Sequence, residues 1–242
     1  MIRAVFFDLG KTLFYPNAPW QPVLAASNKA LTESLIAGGV SVDSKTFPEA
    51  FVKKLNKYYV DREISLREKT TFEMLRELLG DEGFRDAPDP IVRTALDAKY
   101  AITQTNWHLE VDAHAILRTL QQDNYILALL SNAGDDPDVQ TLLDKDNLRQ
   151  YFSFIRTSAA CGYRKPHPRI FEEALQALSL RPEECAMVGD TLNADIKGAN
   201  ALGIYSIWIH RRVNKGTKTL ETIRPKATIQ ALSEIPALLK SL

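Results

Sequence analysis

A small set of residues in this 242-residue chain carries side chains suited to chemistry at places where a fold would gather them. Asp8 ends the apolar and aromatic run that closes on Phe6-Phe7, and Gly10 and Thr12 follow it. Ser131 and Asn132 end a second apolar run, Tyr125 to Leu130, and Asp190 follows a third, Ala186 to Val188, across Gly189. Asp195 comes five residues later, and Lys165 stands before a proline in Tyr163-Arg164-Lys165-Pro166. Carboxylates gathered at one place repel unless a cation lies between them. A site with few carboxylate oxygens suits Mg2+, which keeps several waters and leaves room for a phosphate. The Ser131 hydroxyl, the Asn132 backbone N–H and the Lys165 ammonium add donors, so the set describes an oxyanion site for a phosphoryl group. Taken singly, each residue also has a plainer reading. Asp8 and Asp190 could form turns or cap helices, Ser131-Asn132 could cap a helix, Lys165 could be a surface lysine, and Asp195 could be a solvated residue of a helix's first turn.

The elements that must position these groups are legible from periodicity. After Asp112, apolar runs and amphipathic segments take turns. An Asp112 cap opens an expected helix that carries Ile116, Leu117 and Leu120, further helices cover 138–148, 168–178 and 194–202, and expected strands cover 125–130, 152–155, 186–188 and 204–209, with a final apolar stretch and helix over 229–239. That alternation predicts βαβ units and a parallel sheet with helices on both faces. In such a sheet the carboxyl ends of the strands share one edge, where Asp8, Ser131 and Asp190 can converge. Between Val23 and Tyr100 the pattern is helical throughout. Helices are expected around Leu24, Leu31 and Leu35 (stopped by Gly38-Gly39), around Phe47, Phe51, Leu55 and Tyr58, around Met74 to Leu79 (stopped by Gly80), and from an Asp89 cap with Pro90 in the first turn. Phe14 to Pro22, with three prolines around Trp20, reads as an irregular passage into this bundle. The aromatics Phe47, Phe51, Tyr58 and Tyr59 read as bundle core, and Tyr15 and Trp20 as either pocket wall or packing.

Composition narrows the function classes. Lys+Arg and Asp+Glu are both 30, so no basic excess points to nucleic acid. The densest basic cluster, Arg211, Arg212, Lys215 and Lys218 around Gly216, reads as a solvated loop. No apolar run approaches the ~20 residues that span a bilayer. Two cysteines, Cys161 and Cys185, in no metal pattern favour a reduced, cytoplasmic setting. The four histidines, at 108, 114, 167 and 210, show no metal spacing.

Four segments in this order resemble the motifs of the haloacid dehalogenase superfamily, and most closely its phosphatases with a helical cap inserted after the first strand. They are Asp8-Leu9-Gly10-Lys11-Thr12, Ser131-Asn132, Gly162-Tyr163-Arg164-Lys165-Pro166, and Gly189-Asp190-Thr191-Leu192-Asn193-Ala194-Asp195. The resemblance covers essentially the whole chain. It implies an α/β fold: a Rossmann-like three-layer core with a parallel sheet over 1–15 and 106–242, and a four-helix-bundle-like cap over 16–105. It implies that Asp8 attacks phosphorus and forms an aspartyl-phosphate, and that Mg2+ is held by Asp8, Asp190 and the backbone carbonyl of Gly10. Asp195 would order a metal-bound water or the loop. Ser131, the Asn132 N–H and Lys165 would hold the transferring oxygens, with Lys165 also offsetting the charge of Asp8. The implied substrate is a small phosphorylated metabolite. One position departs from the pattern. The family's phosphatases usually carry a second Asp two residues after the nucleophile as general acid and base, and here that residue is Gly10. General acid–base help is worth ~10²–10⁴ in rate. Its loss favours substrates with good leaving groups, or slow turnover. Other readings stand beside this one: a silent relative that binds phosphate or a partner, a metal-free 2-haloacid dehalogenase, which would gain nothing from Asp190 and Asp195, and a phosphomutase, whose chemistry leans on the absent acid–base residue.

Overall fold

The computed structural model describes residues 1–212 and 222–242. Along the chain run β1 (Ala4–Phe7), β2 (Phe14–Pro16), α1 (Trp20–Ala37), α2 (Phe47–Ser65), α3 (Thr71–Asp81), α4 (Asp89–Gln104) and β3 (Trp107–Leu109). Then come α5 (Ala113–Gln122), β4 (Ile126–Ser131), α6 (Asp136–Lys145), β5 (Phe154–Thr157), α7 (Ser158–Cys161) and α8 (Pro168–Leu178). The last are β6 (Cys185–Gly189), α9 (Lys197–Leu202), β7 (Tyr205–Ile209), β8 (Ala227–Ile229) and α10 (Ile235–Lys240). They form two compact units, Met1–Tyr15 with Leu109–Leu242, and Pro16–His108.

The first unit is an α/β fold on a six-stranded sheet in the order β5-β4-β1-β6-β7-β8, parallel at every pairing. All four residues of β1 are buried, as a central strand covered on both faces requires. Alternate residues Ala4, Phe6, Ala128, Leu130 and Met187 form one core cluster with Ile170 and Phe171 of α8 and Ala199 of α9. The intervening Val5, Phe7, Leu127, Leu129 and Val188 are equally buried and face the other side, where α5 packs on β4. Phe7 pairs with Leu129 and with Val188, so Asp8 comes level with Leu130 and Gly189 at the carboxyl edge.

The second unit is a bundle of α1 to α4 around Leu31, Leu35, Phe47, Phe51, Leu75, Leu79 and Leu96. Thr70 and Glu73 make a reciprocal capping box that starts α3. Phe47 and Phe51 are bundle core, whereas Tyr59 is exposed.

Several boundaries depart from expectation. Helix α1 begins at Trp20, so Pro22 sits in its first turn, where the missing N–H is not needed. Gly80 lies inside α3 and does not stop it. Pro88 takes the cap position of α4, and Asp89 is the first helical residue. The passage after Asp8 is not wholly irregular: β2 pairs with β3 in a two-stranded ribbon. The unit boundary therefore falls at 108 in place of 105. A five-residue π-helical turn, Leu192–Ile196, precedes α9.

Lys215, Gly216 and Lys218 lie outside the described residues. Arg211 and Arg212 are not loosely solvated. Arg211 donates to Glu110 at 2.6 Å and also to Asp112, and Arg212 makes a bidentate pair with Glu110 at 2.8 and 3.0 Å. The Arg212 guanidinium lies 4.0 Å from the centre of the Tyr15 ring. Glu110 is buried, and pairing of this kind is what lets a carboxylate stay there.

Candidate active site

The carboxyl edge of the sheet gathers the acidic residues. One carboxylate oxygen from each of Asp8, Asp190 and Asp195 lies within 4.8 Å of the others. No other such group of acidic, histidine or cysteine ligands occurs among the described residues. Asp8 follows β1 directly, and its backbone N–H donates to Val188 O at 2.9 Å, which fixes the strand end. The Thr12 hydroxyl approaches Asp8 Oδ2 at 3.3 Å. Asp190 follows β6, its Oδ1 accepts from the Thr191 hydroxyl at 3.0 Å, and its carbonyl accepts from the Trp208 indole at 2.8 Å. Asp195 lies in the π-helical turn, and its Oδ2 accepts from the Thr191 N–H at 3.0 Å.

Lys165 is fully buried among these groups. Its ammonium donates to Asp8 Oδ1 at 2.8 Å and to the Leu130 carbonyl at 2.5 Å, and it lies 2.7 Å from Asp195 Oδ1 as an ion pair outside hydrogen-bond angles. An ammonium has three N–H donors, and hydrogen bonds to Asp8 and to the Leu130 carbonyl take two of them, with Asp195 held as an ion-pair partner. The loop that carries Lys165 is clasped by one side chain. Asn132 Oδ1 accepts from the Lys165 N–H at 2.7 Å, and Asn132 Nδ2 donates to the Lys165 carbonyl at 3.0 Å. The Lys165–Pro166 peptide is cis. Ser131 is buried at the last position of β4, between Leu130, which holds the ammonium, and Asn132, which holds the loop.

The charges do not balance. Burial first, and then the negative Asp8 and Asp195, push the Asp190 carboxyl up to about 7 against the Thr191 hydroxyl and Lys11. Burial likewise pushes Asp195 up to about 6 against the pull of Lys165. Burial disfavours the Lys165 ammonium, yet Asp195 and Asp8 outweigh it and hold its pKa above the ordinary lysine value. Three carboxylates around one lysine leave an excess of negative oxygen, the donor chemistry of a hard divalent cation such as Mg2+. The residues present fit such an ion.

The sequence had not marked several contributors. The Asn132 side chain, the Leu130 carbonyl and Trp208 act through contacts 33, 35 and 18 residues away in the chain. Gly189 had a readable signal, as a glycine directly before a strand-ending Asp. A Cβ there would lie 2.3 Å from the Asp195 carboxyl, so only glycine lets Asp195 come that close. Gly198 does the same one turn on, against Phe171 and the Pro166 backbone.

With that geometry in hand the relationship is direct. A family profile described as haloacid dehalogenase-like hydrolase matches residues 2–203, and the chain belongs to that family. Among characterised proteins it is 32% identical over 137 residues to haloacid dehalogenase-like hydrolase domain-containing protein 3 of Bos taurus, covering 57% of this chain and 54% of that one. The match thus spans about half the bovine protein. It is 27% identical over 222 residues to glyceraldehyde 3-phosphate phosphatase of Methanothermobacter thermautotrophicus, covering 90% of each chain. Among solved structures, a 2-haloacid dehalogenase from Pseudomonas syringae pv. Tomato DC3000 superposes with a TM-score of 0.72 at 23% identity, over 100% of this chain and 99% of the other, which shows a shared fold.

Proposed function

We propose that this hydrolase is a Mg2+-dependent phosphatase that acts on a small phosphorylated metabolite through a phosphoryl group carried on Asp8. The observation that carries the reading is the trio of Asp8, Asp190 and Asp195 closed around Lys165. Asp8, Asp190 and the Gly10 carbonyl would hold Mg2+, and Asp195 would order a bound water or the loop. The ion would supply charge to offset the crowding of phosphate and carboxylate oxygens. The second unit, Pro16–His108, takes the place of a cap inserted after the first strand. Two buried free cysteines fit a reducing cytoplasm.

In the first step a carboxylate oxygen of Asp8 forms a bond to phosphorus, and the leaving oxygen departs with its electron pair. Lys165 fixes the attacking carboxylate through its contact with Oδ1. The Ser131 hydroxyl and the Asn132 N–H receive the phosphoryl oxygens, and Lys165 joins them by releasing one of its present contacts. In the second step water cleaves the acyl phosphate, which restores Asp8 and releases inorganic phosphate. Gly10 offers no proton to the leaving oxygen. Acyl, anomeric, anhydride and aryl phosphates, which depart without one, are therefore the favoured substrates. A panel of phosphorylated metabolites and p-nitrophenyl phosphate, with and without Mg2+, tests the reading. Mg2+-dependent phosphate release that Asp8→Asn abolishes is expected, and no release from any member overturns it. Gly10→Asp raises turnover of alkyl phosphates by at least ~10²-fold if the missing acid limits the rate. The three-carboxylate cluster speaks against a metal-free dehalogenase, and chloride release from a 2-haloacid without Mg2+ would reverse that judgement.

A further inference from the structure

The turn that follows the nucleophile strand holds a second lysine in an unusual state. Lys11 has a φ of 62°, in the left-handed region that penalises any residue with a Cβ and that glycine enters freely. Gly10, its neighbour, is not among the residues with positive φ. The chain thus places its glycine beside the position that needs one and a lysine in it. Strained backbone of this kind persists where a side chain is required at that point. The Lys11 backbone N–H closes the turn on Phe14 O at 2.5 Å. Its ammonium is exposed and makes no hydrogen bond or ion pair among the described residues. It stands three residues past Asp8, in the same turn whose Thr12 hydroxyl approaches Asp8 Oδ2 at 3.3 Å. Lys165 is the reverse, buried and held by hydrogen bonds to Asp8 and the Leu130 carbonyl and by the Asp195 ion pair.

We propose that Lys11 is a substrate-binding residue that contacts the phosphoryl dianion, the lysine at the site with donors free to give. This deepens the phosphatase reading and rests on it. With Gly10 and Lys11 side by side, the loop offers the departing group positive charge where a carboxyl at position 10 would offer a proton. That division suits phosphates whose leaving oxygen departs as an anion.

Titration calorimetry of inorganic phosphate into the full-length, Mg2+-loaded protein tests this with Lys11→Met, Lys11→Gly and Lys11→Arg beside the wild type. Phosphate affinity is expected to fall roughly tenfold in the Met and Gly variants, and to stay within about threefold in the Arg variant, as loss or retention of one charged contact implies. Lys11→Gly should at the same time raise the melting temperature, since glycine relieves the left-handed strain. Unchanged phosphate affinity in both the Met and Gly variants overturns the proposal and leaves the phosphatase reading standing. A loss of affinity in Lys11→Gly that comes with a lower melting temperature overturns it too, because damage to the turn then explains the loss. If the wild type binds no phosphate in the presence of Mg2+, both readings fall together.

Discussion

Each of the two units buries a lysine, and the two keep different company. Lys99 of α4 lies inside the helical unit, where it donates to Asn28 Oδ1 at 2.8 Å and Ser27 Oγ at 3.1 Å of α1 and lies 5.9 Å from the centre of the Phe51 ring. Those neutral oxygens tie one helix to another. Lys165 sits at the sheet edge between two carboxylates and a carbonyl. A buried lysine is therefore no sign of a site by itself. What distinguishes the sheet edge is that its carboxylates outnumber their lysine, so that further positive charge is wanted there.

The contrast can be broken in order of effect. Lys165→Met should lower kcat by ~10² or more, because a fixed electrostatic partner of the reacting carboxylate is lost. Lys99→Met should leave kcat within about twofold and lower unfolding stability by about 1–3 kcal/mol, as two polar partners are left unmet. Steady-state kinetics with denaturant melts of both variants decide it, and a kcat loss of equal size in the two would erase the distinction. Gly189→Ala comes next. Its Cβ would meet the Asp195 carboxyl and force it away from Lys165, so stability should fall by about 1–3 kcal/mol, with weaker Mg2+ binding by calorimetry. The last effect is on pH dependence. The folded pKa of Asp190, about 7, lies above its unfolded value near 3.8. The metal-free folded state then binds the extra proton, so this contribution to stability is whole below pH 4 and lost as pH rises through 7. Melting temperatures of the metal-free protein should decline across that window, and saturating Mg2+ should lessen the decline. A flat metal-free profile would show that the edge carries no excess of negative charge.

Much of the sheet edge was legible because its signals are local. An apolar run that stops on Asp8, Ser131 or Asp190 says in a few residues where the strand ends and which side chain ends it. Lys165 was readable from its place between motifs, while its locked state was not, since the oxygens that hold it come from β1, β4 and the turn before α9. The β2–β3 ribbon was missed because each strand has three residues, too few for a period to show. Arg211 and Arg212 looked like a solvated basic loop because their acidic partners stand about a hundred residues away. The bundle helices were found from their apolar spacing. Their ends slipped where Gly80 and Pro22 were read as breaks although the helices run through them.

The indole of Trp208 donates its N–H to the carbonyl of Asp190, so a fluorophore is wired to the very peptide whose side chain would receive the ion. Divalent cation entering that corner would shift the local field and alter the emission. The molecule carries its own optical gauge, one that a Trp208→Phe variant would silence and that can be read with no substrate in hand.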